Sequence, residues 1–169
     1  MVLQLKDLFD RAGEKQSFEY DLDLSHLRHG AGHPLVKPVH IIGTVENRTG
    51  IVTLGYLATF TLNTLCDRCL TPVERDLSMN FEHILVHELA GEDEEEFIVC
   101  GDYPLDLDEL VAMDILLELP TRILCREDCK GLCPKCGTNL NESTCNCSQE
   151  KEVDSRLSVL LTLLDENED

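Results

Sequence analysis

From Val36 to Leu65 apolar and polar positions alternate with a period of two, the pattern of strands that bury one face. Val39, Ile41, Gly43 and Val45 share one phase, Asn47-Arg48-Thr49-Gly50 supplies turn residues, and Val52, Leu54, Tyr56, Ala58, Phe60 and Leu62 share the apolar phase beyond it. Thr53, Thr59, Thr61 and Asn63 fill the alternate positions, with Leu57 the exception. This predicts two long antiparallel strands. A third is expected from Val73 to His87, where Val73, Leu77, Met79, Phe81 and Leu85 alternate with Glu74, Asp76, Ser78, Asn80 and Glu82. The five adjacent carboxylates from Glu92 to Glu96 repel one another and read as an exposed, solvated acidic loop.

The period then changes. Asp106-Leu107-Asp108-Glu109 has the form of a capped helix start, with Asp106 as N-cap and Glu109 as its capping-box partner. Leu107, Leu110, Val111, Met113 and Leu117 give the helix a broad apolar face, and Pro120 stops it. Val153, Leu157, Leu160, Leu161 and Leu164 predict a short amphipathic helix, followed by a frayed tail from Asp165 to Asp169. Nearer the start, Val2 to Arg11 reads as a short helix and Phe18 to Leu24 as a strand. The expected fold is α+β. It has a mainly antiparallel sheet domain with a packed helix over residues 1–120, a Cys-rich, zinc-ribbon-like segment over 121–151, and a C-terminal helix with acidic tail over 152–169.

Composition narrows the chemistry. Of 169 residues, 33 are acidic and 14 basic, a formal charge of −19 that repels bare phosphate backbone at long range and leaves basic proteins as the favoured partners. Met1 to Asp7 lacks a basic stretch followed by an apolar one, and no apolar run approaches the ~20 residues of a membrane span, so a soluble, cytoplasmic protein with no membrane contact is expected. In a reducing compartment the nine cysteines are read first as metal ligands or catalytic thiols.

Cys133-Pro134-Lys135-Cys136-Gly137 is a zinc-knuckle signature, because two residues between thiolates match a pair of ~2.3 Å metal–sulfur bonds and Gly137 tolerates a positive φ. Cys145 and Cys147 return to close a tetrahedron. Cys66-Asp67-Arg68-Cys69 is a second knuckle at the end of the second strand, and Cys125 and Cys129 are available to complete it. Cys100 is left as a buried apolar thiol. The alternative pairing joins Cys66 and Cys69 to Cys133 and Cys136, leaving Cys125, Cys129, Cys145 and Cys147 for the other ion; occupancy of a single site is the further rival. Four-thiolate sites leave no open coordination position, so the expected cofactor is structural Zn²⁺ at one or two sites. A redox role for Cys66 and Cys69 is the competing use of the same motif. His26, His29, His33, His83 and His87 read as solvated or satisfied. No P-loop, dinucleotide fingerprint, nucleophile elbow or metalloprotease motif is present, and no small-molecule substrate is implied.

Charge is uneven along the chain. Residues 121–151 carry Arg122, Arg126, Lys130, Lys135 and Lys151 against Glu127, Asp128, Glu142 and Glu150, a formal +1, so the remainder holds −20. Any local RNA contact is therefore expected in the Cys-rich segment.

Cys66-Asp67-Arg68-Cys69-Leu70 after a Thr-rich strand, a helix from Leu105 to Leu119 ending in Leu119-Pro120, and Cys125-Arg126-Glu127-Asp128-Cys129-Lys130-Gly131-Leu132-Cys133-Pro134-Lys135-Cys136-Gly137 together resemble the YceD family of large ribosomal RNA subunit accumulation proteins. The resemblance covers roughly residues 15 to 164. It implies a non-enzymatic role in ribosome biogenesis and 23S rRNA accumulation, with a pre-ribosomal particle or basic ribosomal protein as partner. A zinc-ribbon nucleic-acid regulator is the remaining alternative.

Overall fold

The structure is a computed structural model that describes residues 1–30, 32–88, 97–101 and 104–147. Two compact units divide the chain, Met1–Cys129 and Lys130–Asp169, so Cys125 and Cys129 count with the sheet. The first unit runs β1 (Val2–Leu3), α1 (Lys6–Asp10), β2 (Lys15–Leu22), β3 (Val39–Arg48), β4 (Ile51–Leu65), β5 (Pro72–Val86), β6 (Phe97–Val99), β7 (Leu105–Asp106) and α2 (Leu107–Glu118). Its main sheet has the order β2-β3-β4-β5-β6, antiparallel throughout except for the parallel β5–β6 pair. This is a sheet-rich α+β fold.

Alternation fixes the register. Val39, Ile41 and Val45 on β3 and Val52, Leu54, Tyr56, Ala58, Phe60 and Leu62 on β4 are all buried, whereas Leu57 points outward and is 37% exposed. Thr49 (φ 53°) and Gly50 (φ 93°) make the two-residue β3–β4 turn, the left-handed pair whose twist matches flanking strands. Buried Asn47 secures that turn by accepting from Gly50 N–H (2.8 Å) and donating to the Leu8 carbonyl of α1 (2.7 Å). Gly43 must lack a side chain, since a Cβ there would stand 2.5 Å from Tyr56 Cβ and 2.6 Å from a Phe18 ring carbon.

Several expectations shift. Val2–Leu3 forms a ladder with Leu105–Asp106 instead of starting a helix, and only Lys6–Asp10 is helical. The early strand is Lys15–Leu22, displaced from Phe18–Leu24, and Asn47-Arg48 belong to the ladder instead of the turn. Asp106 does cap α2, accepting from the N–H groups of Asp108 (3.0 Å) and Glu109 (3.4 Å). The helix buries Leu107, Val111 and Ile115, an i, i+4 stripe, while Met113 and Leu117 lie off that stripe and are 57% and 85% exposed. Leu119, extended before Pro120, ends it. The Glu92–Glu96 run and the helix expected over 153–164 lie outside the described residues. Among the described residues no helix is long and apolar enough to cross a membrane.

Candidate metal centres

The β4–β5 hairpin turns on the first knuckle. Cys66 N–H donates to the Thr71 carbonyl (2.8 Å) and Leu70 N–H donates to the Cys66 carbonyl (2.9 Å). The Thr71 hydroxyl lies 3.2 Å from Cys69 Sγ. The stretch after α2 is laced to this tip. Asp67 N–H donates to the Ile123 carbonyl (2.9 Å), Ile123 N–H donates to Asp67 Oδ2 (2.5 Å), and Arg68 donates to the Cys129 carbonyl (2.8 Å). Arg75 donates to the Leu124 carbonyl. Cys125 and Cys129 are thereby brought to Cys66 and Cys69, with Sγ–Sγ distances of 3.8 Å for Cys66–Cys129 and 3.6 Å for Cys69–Cys125.

All four sulfurs lie within 4.8 Å of one another. A tetrahedron with ~2.3 Å metal–sulfur bonds has sulfurs about 3.8 Å apart, whereas a disulfide needs about 2.05 Å. The spacing thus fits a four-thiolate metal site. Cys66, Cys69 and Cys129 are buried and Cys125 half-buried.

The second unit repeats the motif. Cys133 N–H donates to the Thr138 carbonyl (2.8 Å), Gly137 N–H donates to the Cys133 carbonyl (2.8 Å), and Cys136 Sγ lies 3.1 Å from the Thr138 hydroxyl. Position by position this is the first knuckle again, with Gly137 (φ 73°) standing where Leu70 (φ 59°) stands in the other. Asn139 directs the return, its Oδ1 accepting from Asn141 N–H (3.1 Å) and its side-chain amide donating to Glu142 (2.8 Å). Cys145 and Cys147 complete a group whose sulfurs also lie within 4.8 Å of one another. Here Cys133 is buried, Cys136 exposed, and Cys145 and Cys147 half-buried.

The electrostatics of the two groups are alike. Burial opposes ionisation of Cys66, but N–H donors from Cys125, Arg68 and Cys69 outweigh it together and hold the thiol down to about 6. The Thr138 hydroxyl, helped by its N–H, lowers Cys136 to about 6. Neighbours are held protonated: burial and surrounding thiols push Cys125 up to about 12, and the hydrogen bond to Cys136 followed by burial pushes Cys147 up to about 12. Like charges cannot accumulate at ~4 Å without a cation. Each group therefore sets a thiol that ionises readily beside one held protonated, which a dication would deprotonate. Of the two pairings open in the sequence, the geometry brings together Cys66, Cys69, Cys125 and Cys129, and separately Cys133, Cys136, Cys145 and Cys147. Cys100 is buried, which raises its thiol pKa.

Residues 56–164 match the family described as "Large ribosomal RNA subunit accumulation protein YceD". The chain belongs to this family. An uncharacterized Mycobacterium tuberculosis protein is 31% identical over 121 residues, covering 68% of this chain and 56% of its own. The uncharacterized YlbN of Bacillus subtilis is 24% identical over 163 residues, 92% of each chain. A Zea mays protein named "Large ribosomal RNA subunit accumulation protein YCED homolog 1, chloroplastic" is 28% identical over 142 residues, 65% of this chain and 48% of its own. This chain spans about half the length of the mycobacterial relatives it matches. No solved structure matches it. Both cysteine groups of this YceD-family chain fall inside the matched span.

A polar cluster in that span has no counterpart in the sequence reading. Asp114 of α2 accepts from the Tyr56 hydroxyl of β4 and lies 2.7 Å from His83 Nε2 of β5, tying helix to sheet. His83 shares the inward phase of Phe81 and Leu85, the one signal that could have found it. Of the other histidines, His33 Nδ1 lies 3.0 Å from the Leu27 carbonyl and His87 packs edge-on against Phe9.

Proposed function

We propose that this YceD-family chain is a zinc-stabilised, non-enzymatic factor for large ribosomal subunit biogenesis. It supports 23S rRNA accumulation in the cytoplasm by engaging a pre-ribosomal particle or basic ribosomal protein. The match over residues 56–164 carries the reading, supported by the name of the maize relative. Cys66, Cys69, Cys125 and Cys129 would hold one Zn²⁺, and Cys133, Cys136, Cys145 and Cys147 the other. The ion would supply a closed four-thiolate cross-link with no vacant position for a substrate. In its absence the chain's own groups stabilise a thiolate through N–H and hydroxyl donors, and the knuckle backbone aims the sulfurs inward.

Depletion of the protein should lower 23S rRNA and large subunits; unchanged levels with normal growth would overturn the reading. One observation favours a thiol redox role, the lowered pKa of Cys66. Against it, Cys66 follows a strand instead of opening a helix, and it faces three further thiols. Titration with a thiol reagent separates the two. Eight masked thiols in metal-loaded protein support the structural role; a rapidly reacting Cys66 supports the redox one.

A further inference from the structure

The outward face of the main sheet carries a layout that neither cysteine group explains. Antiparallel register sets it out in rows. Glu19, Ile42, Leu57 and Asn80 form one row across β2 to β5, and Asp21, His40, Thr59 and Ser78 lie beside it on one side. Thr44, Gly55 and Glu82 lie on the other side. Beyond these stand Thr61 with Asp76 and Asn63 with Glu74. Ile42 and Leu57 are directly opposed, 46% and 37% exposed, and form an apolar island flanked on both sides by polar rows, with exposed Ile84 and Ile51 lying farther along the same face.

Around that island negative charge predominates. Glu19, Asp21, Glu74, Asp76 and Glu82 are all exposed. Lysine and arginine are fewer than the carboxylates on this face: Lys15 (3.6 Å) and Arg48 (2.7 Å) both bind Glu46 at one end. Lys37, off the strands, reaches Glu74 at 3.3 Å, and His40 bridges Asp21 (2.9 Å) and Glu19 (3.6 Å). Two copies of such a face would repel each other, and nucleic-acid phosphate would be repelled by either. Threonine, serine, asparagine and a bare Gly55 between the carboxylates keep the surface low enough for a chain to lie across it.

We infer that this face docks a cationic polypeptide segment, its Lys or Arg side chains meeting the carboxylates while one apolar side chain seats on Ile42 and Leu57. The inference rests on the basic-partner part of the functional proposal and gives that partner a place. The apolar island supplies the desolvated anchor, and the carboxylates supply orientation and association rate.

The test uses full-length, metal-loaded, ¹⁵N-labelled protein. The probe is a short peptide alternating lysine with leucine, its aspartate analogue the control, and a twelve-nucleotide oligouridine the competitor class. The lysine peptide should shift the amides of Glu19, Ile42, Leu57 and Glu82 and their neighbours, the control should not, and added salt should weaken binding. Leu57→Ser and the charge reversal Glu82→Lys alter outward side chains, so melting temperature should hold while each weakens binding tenfold or more. Shifts centred elsewhere, undiminished affinity in both variants, or oligouridine occupying these residues would overturn the inference. The peptide result decides the surface alone, whereas the depletion experiment decides the ribosomal role, so either can fail without the other.

Discussion

The two cysteine knuckles are one local structure in two settings. Each has the same pair of backbone hydrogen bonds and the same threonine hydroxyl beside its second thiol. The first closes a hairpin of two 15-residue strands and sits on a core of buried Leu, Ile, Val and Phe. Among the described residues Leu132 and Leu140 provide only a little apolar surface near the second, and three of its four thiols reach solvent. A metal at the first would reinforce a fold that apolar burial already supports, whereas a metal at the second would be the main cross-link within residues 130–147.

The largest expected effect tests that contrast. Chelation should abolish amide dispersion in residues 130–147 while the far-UV signature of the sheet persists, and Cys133→Ser should remove about one zinc equivalent by elemental analysis and unfold the same residues. Persistent order there without metal would break the comparison. Next in size, Cys129→Ser should also remove about one equivalent but leave a folded sheet. The loss in stability should be on the order of 3 kcal/mol, comparable to losing a covalent cross-link over a long loop, read by denaturant unfolding. A smaller effect exchanges the left-handed residues. Gly137→Leu should cost roughly 1–2 kcal/mol, and Leu70→Gly should return up to about 1 kcal/mol, because only glycine takes that conformation without a Cβ penalty. Leu70 is 58% exposed, so little packing is lost with it.

The smallest effect belongs to the sheet alone. Burial, then the Asp114 carboxylate, raises the Tyr56 pKa above its ordinary value of 10.0. The folded state therefore favours the neutral phenol. Its contribution is complete below pH about 10, where unfolded tyrosine is also neutral, and is lost as pH climbs above that value. Tyr56→Phe should flatten the alkaline limb of stability without moving metal content.

Much of this was legible beforehand because it is periodic. The inward columns of β3 and β4 follow from strict alternation, and the α2 start follows from Asp106 and its acidic first turn. The knuckles were legible by their spacing, but their equivalence was hidden because Leu70 occupies the position where Gly137 announces a turn. Which cysteines meet depended on Asp67, Arg68 and Arg75 holding the stretch after Pro120, contacts 49 to 61 residues apart that no local pattern encodes. The same holds for Asp114, whose partners Tyr56 and His83 lie 58 and 31 residues away. Val2–Leu3 misled because a two-residue strand has too few positions to show a period.

The tie between Tyr56 and Asp114 has an optical consequence. The chain has no tryptophan and three tyrosines. One of them, Tyr56, donates its hydroxyl hydrogen bond from the sheet to a carboxylate of α2, Asp114. A carboxylate that accepts a phenol proton quenches tyrosine emission, so the chain's native fluorescence doubles as a label-free gauge of whether α2 is seated.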